Sequence, residues 1–417
     1  MKSLFDCIKL PSFLITETPL VLLGTFLLRI SKFFIFLYAA KILGPDLWGS
    51  WNILLILSMY FANFHFGLIN AFNREGPLYT DNTSYFNNIK KNIVSGIMIS
   101  LIFFTFILSF TLLFIDSIDP NTTILFLLFF VFNQLYNFIE IYYKVKIEFK
   151  RISYYQISRT IILLTTAFFF IDNYGINGFI VSLCIPDILF VLFNIKILRH
   201  FTFKPNIVFL KEYIKIGLPI MIVGFTFLLI QTIDRLVIMQ FFDKNQLGIY
   251  SLGTTIFQAL LIFPQILSMQ FYPRMIRSYG VDKDKNCLKK SFLNQLLLSF
   301  LIVIPIVIVG IFLIPIIINN YLYDYVDSII VSQILICTVL FLPITFVSGN
   351  VFNILDLQKK YLFFQVVAIA INLILSLIAI NLNFGIEGVA FATFISFLFY
   401  SLIMIYYLIN YVFEQKN

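Results

Sequence analysis

The chain has 417 residues, of which 60% are hydrophobic and 12% charged, about half the charged share of a soluble domain. A mean hydropathy of +0.95 excludes an ordinary soluble enzyme and points to an all-α polytopic membrane protein, with little chain left for a separate soluble domain. The net charge of +8 needs no nucleic acid to explain it.

Runs of roughly 20 apolar residues mark spans. Twelve are expected, at about 19–41, 50–72, 92–115, 121–143, 154–171, 174–197, 214–240, 248–271, 291–318, 327–354, 361–381 and 386–410. No early apolar run ends in a small-residue cleavage site, so the first span is expected to be retained. That span carries Arg29 and Lys32 near its middle, three residues apart and hence on one helix face. It stops at Leu43-Gly44-Pro45, where glycine permits a left-handed cap and proline cannot continue the ladder. Trp48 and Trp51, the only tryptophans, then open the second span and are expected to anchor it at the interface. His65 reads as a satisfied helix-contact residue rather than a proton relay.

The fourth span carries Asn133, Asn137 and Glu140, spaced i, i+4, i+7, which form one polar stripe. Such amides serve either interhelical hydrogen bonding or a polar cargo. Arg159 lies about one turn into the fifth span and is expected to snorkel to the membrane surface. Asp187, after Pro186, falls near the middle of the sixth span. It is a candidate for ion coupling, or else the counter-ion of Arg29 or Lys32. Asp234 and Arg235 lie in the outer half of the seventh span and partly neutralise each other. A charge at the bilayer centre costs about 2.5–3.5 kcal/mol on insertion scales, so each of these residues needs a partner or a wet cavity. Pro219, Pro264, Pro305, Pro315 and Pro343 fit bent or broken helices.

The segments between spans sort by charge. One side receives the basic residues from Lys2 and Lys9 through Arg74, Lys90, Lys91, Lys144, Lys146, Lys150, Arg151, Lys196, Arg199 and Lys285 to Lys416, and the other only Lys41 and Lys244. By the positive-inside rule both termini are cytoplasmic. The outer loops, such as Asp116–Pro120, are too short to build an extracellular active site. The inner segments Asn73–Lys91 and Pro273–Lys290 read as charged linkers without catalytic residues. No glycine-rich phosphate loop is present, and the four cysteines form neither a disulfide pattern nor a metal cluster, so no catalytic or metal-ligating residue is assigned.

Two internal matches stand out. Pro45-Asp-Leu-Trp-Gly-Ser-Trp51 after the first span pairs with Lys244-Asn-Gln-Leu-Gly-Ile-Tyr250 after the seventh. Tyr174-Gly-Ile-Asn-Gly-Phe-Ile180 at the sixth pairs with Phe384-Gly-Ile-Glu-Gly-Val-Ala390 at the twelfth. Together they suggest two parallel six-span repeats, residues 1–200 and 201–417, with substrate bound between them.

Ala40-Lys-Ile-Leu-Gly-Pro-Asp-Leu-Trp-Gly-Ser-Trp51 resembles the Ala-x-x-Leu-Gly-Pro…Gly signature of the bacterial polysaccharide repeat-unit flippases, which include the O-antigen flippases. Gly217-Leu-Pro219, Asp234-Arg235 and Leu247-Gly-Ile-Tyr-Ser251, with Pro264 and Pro273, are similar to the second-half pattern of that family. Lys41 stands where many relatives have arginine. The resemblance implies two pseudo-symmetric six-helix bundles of the MATE-like superfamily around a central cavity. It also implies transport, rather than enzymatic conversion, of an undecaprenyl-diphosphate-linked oligosaccharide across the bacterial cytoplasmic membrane for O-antigen or capsule synthesis. A polysaccharide polymerase and a chain-length regulator are then expected partners, and H+ or Na+ the expected coupling ion. In that setting Arg29 and Lys32, helped by Arg235, are expected at the diphosphate, Asn133 and Asn137 near the sugar, and Asp234 among the other substrate-binding residues. A MATE-like exporter of small cations would need an acidic cavity, against which the Arg29–Lys32 pair argues. A membrane polysaccharide polymerase would need a large outer loop.

Overall fold

A computed structural model describes residues 18–413 apart from 64, 81, 115–117, 200, 283 and 284. Lys2, Cys7, Lys9, Asp116 and Lys416 lie outside the described residues. The described chain is helical, because a backbone crossing lipid must satisfy its own hydrogen bonds. In order, the helices are α1 Thr18–Ala62, α2 Leu68–Glu75, α3 Thr83–Leu112, α4 Pro120–Val145, α5 Phe149–Phe193, α6 Ile195–Leu198, α7 Ile207–Ile230 and α8 Ile233–Phe241. They continue as α9 Lys244–Leu260, α10 Ile262–Asp282, α11 Lys285–Tyr321, α12 Ser328–Thr338, α13 Leu342–Ile354, α14 Gln358–Asn381 and α15 Gly385–Leu408.

Nine helical stretches among the described residues are long and apolar enough to cross a membrane. One of them, α5, has 45 residues and is broken at Gly175 (φ 55°, ψ −129°). Its arms pack side by side, with Thr166 Oγ1 3.4 Å from the Ser182 carbonyl, so it supplies two spans. The 45-residue α1 is divided in the same way at Gly44 (φ 70°, ψ 172°). Only glycine takes that backbone without strain, and Pro45 then opens the second arm with its φ already helical. Counting both arms of α1 and α5, every expected span has a helical counterpart.

Within the second internal match Gly175 and Gly385 both have positive φ (55° and 63°). Two turns without a sequence match are also alike. The α4–α5 turn places Ile147 at φ 58° and the α13–α14 turn places Asp356 at φ 54°. Each is closed by the six-residue hydrogen bond of a Schellman cap, Glu148 N to Tyr143 O at 3.0 Å and Leu357 N to Phe352 O at 2.8 Å.

The described chain forms two compact units. The first comprises Met1–Ile42 and Leu54–Met221, and the second Leu43–Ile53 and Ile222–Asn417. In the first, α4 packs along α5 and α2 against α3 and α4; in the second, α14 packs along α15 and α12 lies between α9 and α15. A glycine crossing explains why Leu43–Ile53 belongs with the second unit. A Cβ on Gly49 would fall 2.0 Å from the Lys244 carbonyl oxygen, and one on Gly248 would fall 1.9 Å from that of Pro45. The two repeat motifs thus meet backbone to backbone, reciprocally. A second crossing, Gly67 against Gly217, ties the start of α7 into the first unit.

Three expectations need correction. The second span is not one run over 50–72: the helix ends at Ala62, turns at Gly67 where Gly217 leaves no room for a side chain, and resumes as α2. Here His65 Nδ1 accepts the Gly67 amide within the turn itself, at 3.1 Å. The segments expected to be charged linkers are largely helical: α10 continues to Asp282, α11 starts at Lys285, and α3 starts at Thr83 with Asn82 capping the Tyr85 amide. Finally, Trp48 and Trp51 are not interface anchors. Both are buried (1% and 0% exposed), because the glycine crossing seats this helix start against protein.

A methyl group at either crossing glycine must displace a carbonyl. Gly49→Ala and Gly248→Ala should each cost about 1–3 kcal/mol, lowering the thermal unfolding midpoint of the purified protein. Gly224→Ala, whose Cβ would meet no atom within 4 Å, should leave it unchanged.

Candidate functional site

The site assembles in the first unit from the first arm of α1, from α4 and from both arms of α5. Asp187 lies on the second arm of α5 and is wholly buried. Its Oδ1 is 2.5 Å from Arg159 Nη2 on the first arm, a pairing brought about by the hairpin at Gly175. Its Oδ2 accepts a hydrogen bond from Asn133 Nδ2 at 2.9 Å, and Asn133 Oδ1 accepts one from Asn137 Nδ2 at 3.3 Å. The guanidinium of Arg159 lies 3.8 Å from the centroid of the Tyr136 ring, a close cation–π stack. Phe190 packs on Tyr136 from the other side of the hairpin, 4.6 Å between centroids.

Arg159 therefore does not snorkel. It is 7% exposed and paired, since folding α5 back on itself offers a carboxylate closer than the membrane surface. The direct partner of Asp187 is thus Arg159, rather than Arg29 or Lys32. Those two residues are half-buried on α1. Lys32 lies within electrostatic range of Arg159, Asp187, Glu140 and Arg29, the strongest of these effects being repulsion from Arg159. Arg29 feels Glu140, and Glu140 Oε1 also takes Lys144 Nζ at 2.6 Å. The expected stripe on α4 is therefore real, and it runs from the Asp187 amide contact to the Glu140–Lys144 pair. Among the described residues the cluster brings Arg29, Lys32, Arg159 and Lys144 near two carboxylates, Asp187 and Glu140, so basic groups are in excess. Chemically, the excess of basic groups suits an anion.

Asp234 and Arg235 belong to the second unit, and their surroundings give them a local task. The seventh span is interrupted between α7 and α8 at Gln231–Thr232. Arg235 Nη2 donates to the Gln231 carbonyl freed by that break, at 3.1 Å. Asp234 Oδ1 accepts the Arg235 amide in the first turn of α8 at 2.7 Å, where a carboxylate also suits the helix dipole. Its Oδ2 takes the Tyr250 hydroxyl at 2.6 Å and the Thr393 hydroxyl at 3.4 Å. Thr393 continues to Asn372 and Ser376, all of them buried. Among the described residues no group of three or more His, Cys, Asp or Glu could hold a metal ion. The amide of Asn350 serves helix contact, donating to Ser268 Oγ at 2.8 Å.

The profile of the polysaccharide biosynthesis protein family matches residues 15–279, and that of the MatE family matches residues 219–384. No curated protein matches the chain in sequence. Among solved structures, an inward-facing multidrug-resistance MATE family transporter of the MOP superfamily is similar with a TM-score of 0.67 at 14% identity, covering 93% of each chain. The lipid II flippase MurJ, in its inward closed conformation, is similar with a TM-score of 0.65 at 18% identity, covering 94% of this chain and 87% of its own. An outward-facing MATE transporter is similar with a TM-score of 0.64 at 14% identity, covering 96% and 99%. At these identities the likeness is one of fold, a multi-pass α-helical MATE fold. With its profile matched over more than half of the length, the chain belongs to the polysaccharide biosynthesis protein family.

Proposed function

We propose that the protein moves an undecaprenyl-diphosphate-linked oligosaccharide repeat unit from the inner to the outer leaflet of the bacterial cytoplasmic membrane by alternating access, for surface polysaccharide synthesis. The observation that carries this reading is the positive cluster of Arg29, Lys32 and Arg159 inside the membrane-spanning part of the first unit. A diphosphate crossing lipid needs its charge compensated throughout, because an isolated anion in low dielectric costs tens of kcal/mol. Arginine adds a planar fork that fits phosphate oxygens in pairs. The amides of Asn133 and Asn137 would meet the sugar, while the prenyl tail stays in lipid. Membership of the polysaccharide biosynthesis family and the shared fold of a lipid II flippase support the cargo class.

In this reading Asp234 and Arg235 hold the α7–α8 break rather than the cargo, and Asp187 keeps Arg159 in place rather than carrying a coupling proton. Export of small cations is the competing reading, favoured by the MatE match over 219–384. It fits poorly with a cluster in which basic groups are in excess.

Arg29→Ala or Lys32→Ala should abolish surface glycan at unchanged protein level, whereas Lys32→Arg should retain export. Full export by the double alanine variant, or dye-cation efflux by the wild type without glycan export, overturns the assignment. Removing one member of a buried pair leaves an uncompensated charge worth about 3–5 kcal/mol, whereas removing both is far milder. Asp187→Asn should therefore reduce folded protein more than Arg159→Gln combined with Asp187→Asn. The pH dependence of the transport left in Asp187→Asn should match the wild type, and a shifted profile would return Asp187 to ion coupling. Cysteines introduced at Lys244 and Lys285 should label from outside and inside respectively, and labelling of both from one side contradicts the orientation.

A further inference from the structure

The basic residues at one end of the α3–α4 hairpin differ in how they are compensated. Lys144 pairs with Glu140 at 2.6 Å, Arg151 with Glu148 at 2.9 Å, and Arg74 with Glu75 at 3.5 Å. Lys90, in the second turn of α3, is the most buried of them at 7% exposed, yet no carboxylate pairs with it among the described residues. Its ammonium faces the Tyr142 ring at 6.0 Å from the centroid. The ammonium of Lys146 lies over the same ring at 5.1 Å. The charge that Lys90 feels is that of Lys146, a repulsion. Lys146 reaches Glu148 only at 3.9 Å, and Glu148 is shared with Arg151.

Two ammonium groups on one ring, with no carboxylate paired to Lys90 among the described residues, are poorly compensated. A cation–π contact contributes about 0.5–2 kcal/mol, and the repulsion between the two ammonium groups opposes it. An anion beside both resolves the imbalance. The start of α3 and the end of α4 are the ends of helices long and apolar enough to cross a membrane, and the ends of such spans are where lipid phosphates are met; Phe86 packs on Tyr142 at 6.2 Å to form an apolar floor. We propose that Lys90 and Lys146, over Tyr142, form a site for a phosphate group, filled by the headgroup of an anionic phospholipid in the leaflet this face meets. The site uses none of the residues assigned to transport, so it stands or falls independently of the cargo.

The test uses the purified full-length protein in neutral detergent, titrated with phosphatidylglycerol, phosphatidylcholine or inorganic phosphate, with thermal unfolding and native mass spectrometry as readouts. Phosphatidylglycerol should raise the unfolding midpoint and remain bound, while phosphatidylcholine should do neither. Lys90→Gln should weaken the phosphatidylglycerol response about tenfold or more in concentration, the scale of one lost charge-assisted contact. Lys90→Arg should keep the response, and Lys196→Gln, which removes an exposed charge elsewhere, should not alter it. Should Lys90→Gln fail to fold, the exposed Lys146→Gln serves in its place with a weakened response expected. An equal response from inorganic phosphate would keep the phosphate site and overturn the lipid as its source. An identical phosphatidylglycerol response in wild type and both lysine variants would overturn the site.

Discussion

An ionised group inside a membrane protein has to be compensated where it stands, and in the first unit that constraint converges on Asp187. Its two oxygens are divided between Arg159 and Asn133. Arg159 in turn rests on Tyr136, and Asn133 draws Asn137 into line. One buried carboxylate thus fixes the register of the two arms of α5 against α4. It also sets the electrostatic surroundings of Lys32, which feels Asp187 as attraction and Arg159 as repulsion. Arg29, on the same face of α1, lies within electrostatic range of Glu140.

The second unit answers a different form of the same demand. There the deficit belongs to the backbone, because the α7–α8 break frees carbonyls in the middle of a span. Arg235 meets the Gln231 carbonyl, and Asp234 meets the new helix start. Neighbouring opposite charges that point in different directions are well suited to a break, where donors and acceptors are exposed on opposite sides of the interruption.

The spans were legible in the sequence because lipid demands about 20 apolar residues in a row, and the Gly44-Pro45 break because its residue types allow little else. The polar stripe on α4 was legible from its spacing alone. The depth of Arg159 was not: its position near a span end suggested the surface, and the carboxylate that holds it lies on the other arm of a hairpin. The turns at Ile147 and Asp356 were invisible for another reason. Their left-handed backbone is imposed by Schellman hydrogen bonds rather than advertised by glycine. The tryptophans misled in the opposite direction, since an aromatic at interface depth reads the same whether it faces lipid or protein.

The crossing of Gly49 and Gly248 has an entropic aspect. A contact made of main chain on main chain contains no rotamers to order, so forming it carries none of the side-chain entropy cost of an interdigitated seam. What orders side chains there is the neighbourhood, where the close approach of the two backbones leaves Trp48 and Trp51 buried. The seam is firm because the backbones fit closely, and parting it would expose both tryptophans.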